Sequence, residues 1–120
     1  MSGYYQAAGE TFPQAGKGFL EVYTSIGNGQ NGQDGVTAVL SPPSTALYAD
    51  ASGAPDAKLQ ATSTWGLVRF GELTPGVVEV VLTANALCDK NFGGWPSKQA
   101  HAARMPVIEG FETHVGFGCF

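Results

Sequence analysis

The stretch GNGQNGQDG, residues 27–35, is rich both in side-chain oxygens that could hold calcium and in residues that form turns. Calcium takes about six to eight oxygen ligands, and carboxylates supply most of the affinity. This stretch has one carboxylate, Asp34, and its spacing does not match the D-x-[DN]-x-[DN]-G pattern. Asn28-Gly29, Asn31-Gly32 and Asp34-Gly35 are instead dipeptides typical of tight turns. The stretch therefore predicts a turn between strands, with a metal loop as the alternative.

The two cysteines, Cys88 and Cys119, could form a disulfide or, together with His101 and His114, a zinc site. Structural zinc sites usually contain ligand pairs separated by only a few residues, and no such pair occurs here. A disulfide explains the cysteines more simply, and closing a loop of this length stabilises a fold by about 3 to 4 kcal/mol. We therefore predict a Cys88–Cys119 disulfide and no metal site.

No motif for nucleophilic or metal-dependent catalysis occurs in the sequence, which lacks G-x-S-x-G, H-E-x-x-H and a phosphate-binding loop. Ser41 and Ser44 flank two prolines and have no evident base. Asp50 and Asp56 lie in turn regions, where aspartate commonly binds the local backbone. We predict no catalytic residue and no cofactor, and hence a chain that is not an enzyme.

Aromatic residues near turns are the remaining candidates for a functional surface. Trp65, Trp95 and Tyr48 all lie in or beside turn sequences. Aromatic side chains in such places form platforms for carbohydrate or contacts with a protein partner. The alternative is that each of them covers an open end of the hydrophobic core.

Composition restricts the class of protein. A chain of 120 residues predicts one domain, and its 43% hydrophobic content provides for a core. The net charge of −4 repels phosphates, so nucleic acid is not an expected partner. No apolar run approaches the roughly 20 residues that a membrane-spanning helix requires.

The N-terminal residues 1–18 show no periodicity and predict an extended arm that precedes a single domain over 19–120. The arm has no basic and apolar segments of the kind that form a signal peptide. The even cysteine count, many glycines and few lysines nevertheless favour an extracellular or cell-surface chain, with the periplasm as an alternative. Met1 would then be an added start. The other interpretation is an intracellular chain with two free thiols.

Seven segments alternate apolar and polar residues or are rich in β-branched residues, as short strands are. They are residues 19–26, 35–41, 45–50, 58–63, 66–70, 77–84 and 112–119. Between the last two segments, residues 85–106 have no clear pattern and predict an irregular stretch. The alanines of KQAHAAR, residues 98–104, favour a helical segment of at most about two turns within it.

The segment VVEVVLTA, residues 77–84, is apolar on both faces except at Glu79. This pattern predicts a central strand, in which Glu79 is partly covered and needs a hydrogen-bonding partner. Seven short strands with turn signals between them predict an all-β, mostly antiparallel sandwich of two sheets. A closed barrel is the alternative architecture.

About half of the chain also resembles a known family, the carboxypeptidase regulatory-like, or transthyretin-like, β-sandwich domains. The resemblance lies in TSTWGLVRFGELTPGVVEVVLT, residues 62–83, and in the alternating run GVTAVLSPP, residues 35–43. The matching residues of the first run are Thr62, Thr64, Gly66, Phe70, Leu73, Pro75, Gly76, Val78 and Val80. The resemblance implies a non-catalytic module attached to a larger surface or secreted protein.

Two functional hypotheses follow from the sequence. The first is a structural or interaction module of an exported or cell-surface assembly, which self-associates by donating its N-terminal arm to the sheet edge of a neighbour. The second is a carbohydrate- or small-ligand-binding module that uses Trp95 and the stretch 85–106. Both predict a partner that is neither nucleic acid nor a membrane interior.

Overall fold

The computed structural model of the chain describes residues 16–27, 31–98 and 101–120, and these residues form ten strands and no helix. The strands are β1 (Gly18–Ile26), β2 (Thr37–Ser41), β3 (Ala46–Ala49), β4 (Pro55–Asp56), β5 (Leu67–Leu73), β6 (Gly76–Thr83), β7 (Cys88–Phe92), β8 (Trp95–Pro96), β9 (Ala102–Val107) and β10 (Glu112–Cys119). The all-β prediction is confirmed. Most of the predicted arm, residues 1–15, lies outside the described residues.

The strands form two sheets. The large sheet has the order β4-β3-β5-β1-β10-β7, and the small sheet has the order β2-β6-β9-β8. β1 and β10 pair in parallel, from Phe19 opposite Glu112 to Ile26 opposite Cys119. The other strand pairings in the described residues are antiparallel. The predicted two-sheet, mostly antiparallel sandwich is thereby confirmed, with ten strands instead of seven.

The core lies between the two sheets and is filled by every second residue of the strands that face each other. β1 contributes Leu20 and Val22, and β6 contributes Val78, Val80 and Leu82, all of them buried. Burying a valine or leucine side chain stabilises a fold by roughly 1.5 to 3 kcal/mol, so alternation in these strands accounts for much of the driving force.

Strand β6 has the central position that its sequence predicts. It pairs with β2 on one side and with β9 on the other. Glu79 lies on the side opposite the core, is half-buried and accepts a hydrogen bond from the Ser97 hydroxyl. The prediction that this carboxylate needs a partner is therefore confirmed.

The prediction of a strand at residues 58–63 is wrong, because side-chain hydrogen bonds hold this segment in turns and bends. The Asp56 carboxylate accepts the backbone N–H of Lys58, and the Asp56 carbonyl accepts that of Leu59. Further along, the Thr62 hydroxyl accepts the N–H of Val36 and donates to the carbonyl of Gln33. The Thr62 side chain therefore supplies hydrogen bonds to the backbone of a loop, and the segment does not continue as a strand.

The predicted irregular stretch at 85–106 is also wrong, because it contains β7, β8 and β9. The helical segment predicted for residues 98–104 is replaced from Ala102 onward by β9, while residues 99 and 100 lie outside the described ranges. Ala102 and Ala103 are buried, and β9 pairs along most of β6. Pairing with a central strand thus outweighs the helix propensity of alanine.

The described part of the loop at residues 27–35 folds back on β1. Ile26 N–H donates to the carbonyl of Asn31, and Gln33 N–H donates to that of Thr24. This loop leads from the large sheet to the small one, so β1 and β2 are not the two strands of a hairpin. Residues 28–30 lie outside the described ranges.

The predicted disulfide between Cys88 and Cys119 is confirmed, with an S–S distance of 2.03 Å. The two cysteines are directly opposite each other on the antiparallel pair β7 and β10. Next to them, Leu87 and Phe120 exchange two backbone hydrogen bonds of 3.2 and 2.8 Å. The disulfide therefore fastens an edge strand of the large sheet to the last strand of the chain.

Candidate functional site

The outer surface of the small sheet carries an unusual number of apolar side chains. We call it the small-sheet face and define it by Val39, Val77, Glu79, Val81, Trp95, Arg104 and Pro106, which point away from the core. An antiparallel sheet with one solvated face usually has polar residues there. The outward valines do not fill the core, and they leave an apolar surface open to solvent.

Exposure shows how open this face is. Val39 is 64% exposed, Val77 is 59% exposed and Trp95 is 46% exposed, while Val81 and Pro106 are half-buried. Val39 and Val81 are direct cross-strand neighbours, as are Val77 and Pro106. The apolar side chains therefore lie in adjacent rows rather than as scattered single residues.

A charged row crosses the face between the two apolar rows. The register places Ser41, Glu79, Arg104 and Trp95 side by side across β2, β6, β9 and β8. Beside the row lies a groove of about 520 Å³, lined by Glu79, Pro96, Ser97, Lys98 and Arg104. The row gives the face one acidic and one basic group next to each other.

Trp95, a candidate contact residue in the sequence, belongs to this face, because it lies opposite Arg104 on the edge strand β8. Trp65, the second candidate, lies at the large sheet instead. Tyr48, the third, is only 5% exposed, and its hydroxyl accepts the N–H of Ala38 at 3.0 Å. Tyr48 therefore fills the core, and its hydroxyl provides a hydrogen-bond acceptor for the backbone of the edge strand β2. It offers no surface to a ligand.

Trp65 borders a cleft of about 330 Å³ on the large sheet, and Phe92 borders it too. Each ring rests on glycine backbone. A Cβ atom on Gly53 would lie 2.7 Å from the Trp65 ring, and one on Gly116 would overlap the Phe92 ring. Trp65 is 53% exposed and Phe92 is 50% exposed. Both rings are thus supported from one side and open to solvent on the other.

A hydrogen-bonded network around the buried Glu21 lies on the side of the large sheet that faces away from the core. The Tyr23 hydroxyl donates to Glu21 Oε2 at 2.6 Å and contacts His114 Nδ1 at 3.1 Å. Burial raises the pKa of Tyr23 far above its ordinary value, and the hydrogen bond to Glu21 and the charges of Glu21 and Glu112 raise it further. Tyr23 therefore keeps its proton and remains a donor to Glu21.

The same cluster has the composition of a cation site. Potential ligand atoms of Glu21, Glu112 and His114 lie within 4.8 Å of one another. However, Glu21 already accepts a hydrogen bond from the Tyr23 hydroxyl, and buried Arg69 is its direct cross-strand neighbour on β5. A positive side chain beside the carboxylate opposes a bound cation. The cluster is better explained as a structural network.

The sequence did not predict this network or the small-sheet face. The network depends on the parallel pairing of β1 with β10, which sets Glu21 opposite His114. The face depends on β9 and β8, which lie in the stretch predicted as irregular. The alternation of Val77 and Glu79 on the outer side of β6 was its one readable sign.

Comparison with protein-family models and with curated protein sequences gives no match to this chain. Among the described residues, none belongs to a helix that could cross a membrane.

Proposed function

We propose that this chain is a non-catalytic structural module of an exported or cell-surface assembly, which docks to a protein through the small-sheet face. The carrying observation is the pair of apolar rows, Val39 with Val81 and Val77 with Pro106, on the solvent side of a four-stranded sheet. Contacts of this kind are typical of the centre of protein interfaces, where apolar groups surround few charges. Such a role agrees with the resemblance to regulatory-like β-sandwich modules.

The compartment is part of the proposal. The Cys88–Cys119 disulfide is compatible with an extracellular or cell-surface location, because disulfides persist in oxidising compartments. A periplasmic location meets the same condition. The sparse charge of the chain, 13% of its residues, fits a module with much of its surface in contact with other proteins.

The test of this function uses the chain in its native source. We expect the wild-type chain to fractionate in a complex larger than its own 12.5 kDa, and the double variant Val39→Lys/Val77→Lys to be released from it. The physical reason is that burying two ammonium groups in an apolar contact costs several kcal/mol, roughly a thousandfold in affinity or more. Size-exclusion chromatography of native extracts with an antibody to the chain measures the effect.

The matched control is Leu87→Lys. Leu87 is 77% exposed, more than either valine, but it lies beside the disulfide and away from the small-sheet face. This variant should remain in the complex. Retention of the Val39/Val77 variant in the complex would rule out the proposed docking face.

A second candidate function, binding of a neutral carbohydrate, is favoured by the two supported rings at the cleft of the large sheet. No residue described as lining the cleft is charged. Rigid aromatic faces with nearby hydroxyl and backbone groups suit the apolar face of a sugar ring, and the cleft volume is near the lower end for small-ligand sites.

We expect, if this function holds, that a neutral glycan binds in an array or by calorimetry and that Trp65→Ala weakens it at least about tenfold, since stacking is lost. Phe111→Ala is the control, because Phe111 is 63% exposed in a turn outside the cleft. Loss in Trp95→Ala instead would assign carbohydrate to the small-sheet face. Absence of glycan binding by the wild-type chain would exclude the candidate.

A further inference from the structure

We infer that the partner of the small-sheet face is the same face of a second copy of this chain, related by a two-fold axis that runs parallel to the strands between β6 and β9. The inference rests on the proposed docking function and names its partner. It depends on the strand register and on the order of charges in the row described above.

The register determines what such an axis brings together. Rotation about an axis along the strands exchanges β6 with β9 and β2 with β8, while each residue keeps its height along the sheet. Glu79 of one copy then lies opposite Arg104 of the other, and the reverse contact forms by symmetry. Ser41 similarly lies opposite Trp95 of the second copy.

The same rotation determines what the apolar rows contact. Val39 and Val81 lie at one height, and Val77 and Pro106 lie at another, on either side of the charged row. Because height is retained while β6 and β9 are exchanged, Val77 of one copy meets Pro106 of the other, and Val81 meets β9 of the other copy at Ala102. The charged row meets the charged row. Sheets related in this way have aligned strands, which is a common geometry of face-to-face sheet packing.

The other two-fold arrangement of the same face is unfavourable. An axis running across the strands, along the charged row, would place Glu79 opposite Glu79 and Arg104 opposite Arg104. Like charges facing each other in an apolar contact are strongly repulsive. The order of the two charges therefore selects the axis parallel to the strands.

A second copy is favoured over a foreign protein because the face complements itself. It presents one carboxylate and one guanidinium as direct neighbours, flanked by apolar side chains on both sides. A partner needs the same pattern in reverse order, and rotation of this face supplies that order. An isologous contact of this type closes on itself and gives a dimer rather than a filament.

The experiment is sedimentation equilibrium of the purified full chain and of two charge-reversal variants, Glu79→Arg and Arg104→Glu. We expect the wild-type chain to reach twice its 12.5 kDa mass with a dissociation constant on the order of 10 µM. Each variant alone should dimerise at least about tenfold more weakly, since like charges then face each other across the axis.

Mixing the two variants is the decisive measurement. In the mixed dimer, Arg at position 79 of one chain faces Glu at position 104 of the other, while the native Arg104 and Glu79 face each other in the second contact. Association should therefore recover to within about threefold of the wild-type value. Within each chain the neighbouring charges at 79 and 104 remain alike, so recovery cannot come from a repaired intramolecular pair.

Far-UV circular dichroism and thermal melting of each variant establish that it is folded. Val39→Lys provides a further variant, because its exposed site tolerates a polar side chain, and it too should weaken the dimer. The control variant Leu87→Lys should not weaken it.

A wild-type chain that remains monomeric, or a mixture that fails to recover, would overturn the inference. If the purified chain is monomeric but Val39→Lys/Val77→Lys is still released from the native complex, the docking function stands with a different partner. If that variant is retained, the docking function falls as well.

Discussion

Opening the Cys88–Cys119 disulfide is expected to lower the free energy of unfolding by about 3 to 4 kcal/mol, which is a large share of the stability of a domain this size. The sequence separation of 31 sets this magnitude, because the bond restricts the unfolded chain over that length. The folded chain also depends on it locally, since β7 is an edge strand with a register shift in its pairing to β10.

Urea unfolding with and without a reducing agent measures the difference, and the double variant Cys88→Ser/Cys119→Ser provides the independent comparison. The midpoint of thermal unfolding should fall by roughly 10 to 25 °C in both cases. If the reduced wild-type chain and the double variant lose the same free energy of unfolding, the loss is due to the missing bond and not to replacement of the sulfur atoms. A change below about 1 kcal/mol in both would contradict the proposed contribution of the bond.

Replacing Gly66 by alanine is expected to cost about 3 to 5 kcal/mol, because both the space and the backbone conformation at this position require glycine. Gly66 has φ +74°, and a Cβ atom there would overlap the Thr24 carbonyl oxygen and lie 2.7 Å from Cα of Gly32. These are backbone atoms, which cannot move aside as a flexible side chain can. Gly66 also joins β1 to the segment before β5, because its carbonyl accepts the N–H of Thr24 at 2.7 Å.

Gly35→Ala is a closely matched control. Gly35 has φ +72°, almost the same as Gly66, but nothing lies within 4 Å of a Cβ atom built on it. Its variant should therefore lose only the cost of the left-handed conformation, about 1 to 2 kcal/mol. Equal losses in the two variants, measured by urea unfolding, would show that close packing at Gly66 is not the cause.

The strands with the clearest alternation were predictable from sequence. Residues 19–26, 77–84 and 112–119 are strands at nearly the predicted bounds, because in each of them one face is needed for the core. The segment 58–63 alternates as well, yet its Thr62 hydroxyl satisfies the backbone of Val36 and Gln33. Alternation does not reveal whether a polar side chain binds the backbone locally.

The candidate site was only partly predictable, because it depends on pairing between strands that are far apart in the sequence. The sequence predicts Trp95 as a contact residue, but Glu79 and Arg104 are brought into its row by pairing between distant segments. Tyr48 was interpreted in the same way as Trp95 from similar flanking turns, and it is a core residue with a buried hydroxyl. Sequence pattern gives the face on which a residue lies, whereas strand order decides whether that face is covered.

The parallel pairing of β1 with β10 has a consequence for how the chain acquires its structure. The large sheet pairs two strands from opposite ends of the described chain, so that Phe19 meets Glu112. Such distant contacts make folding slow, on the order of milliseconds to seconds, because a long loop must close first. During synthesis, β1 can pair with β5 as soon as β5 has emerged, but its other edge stays open until β10 follows.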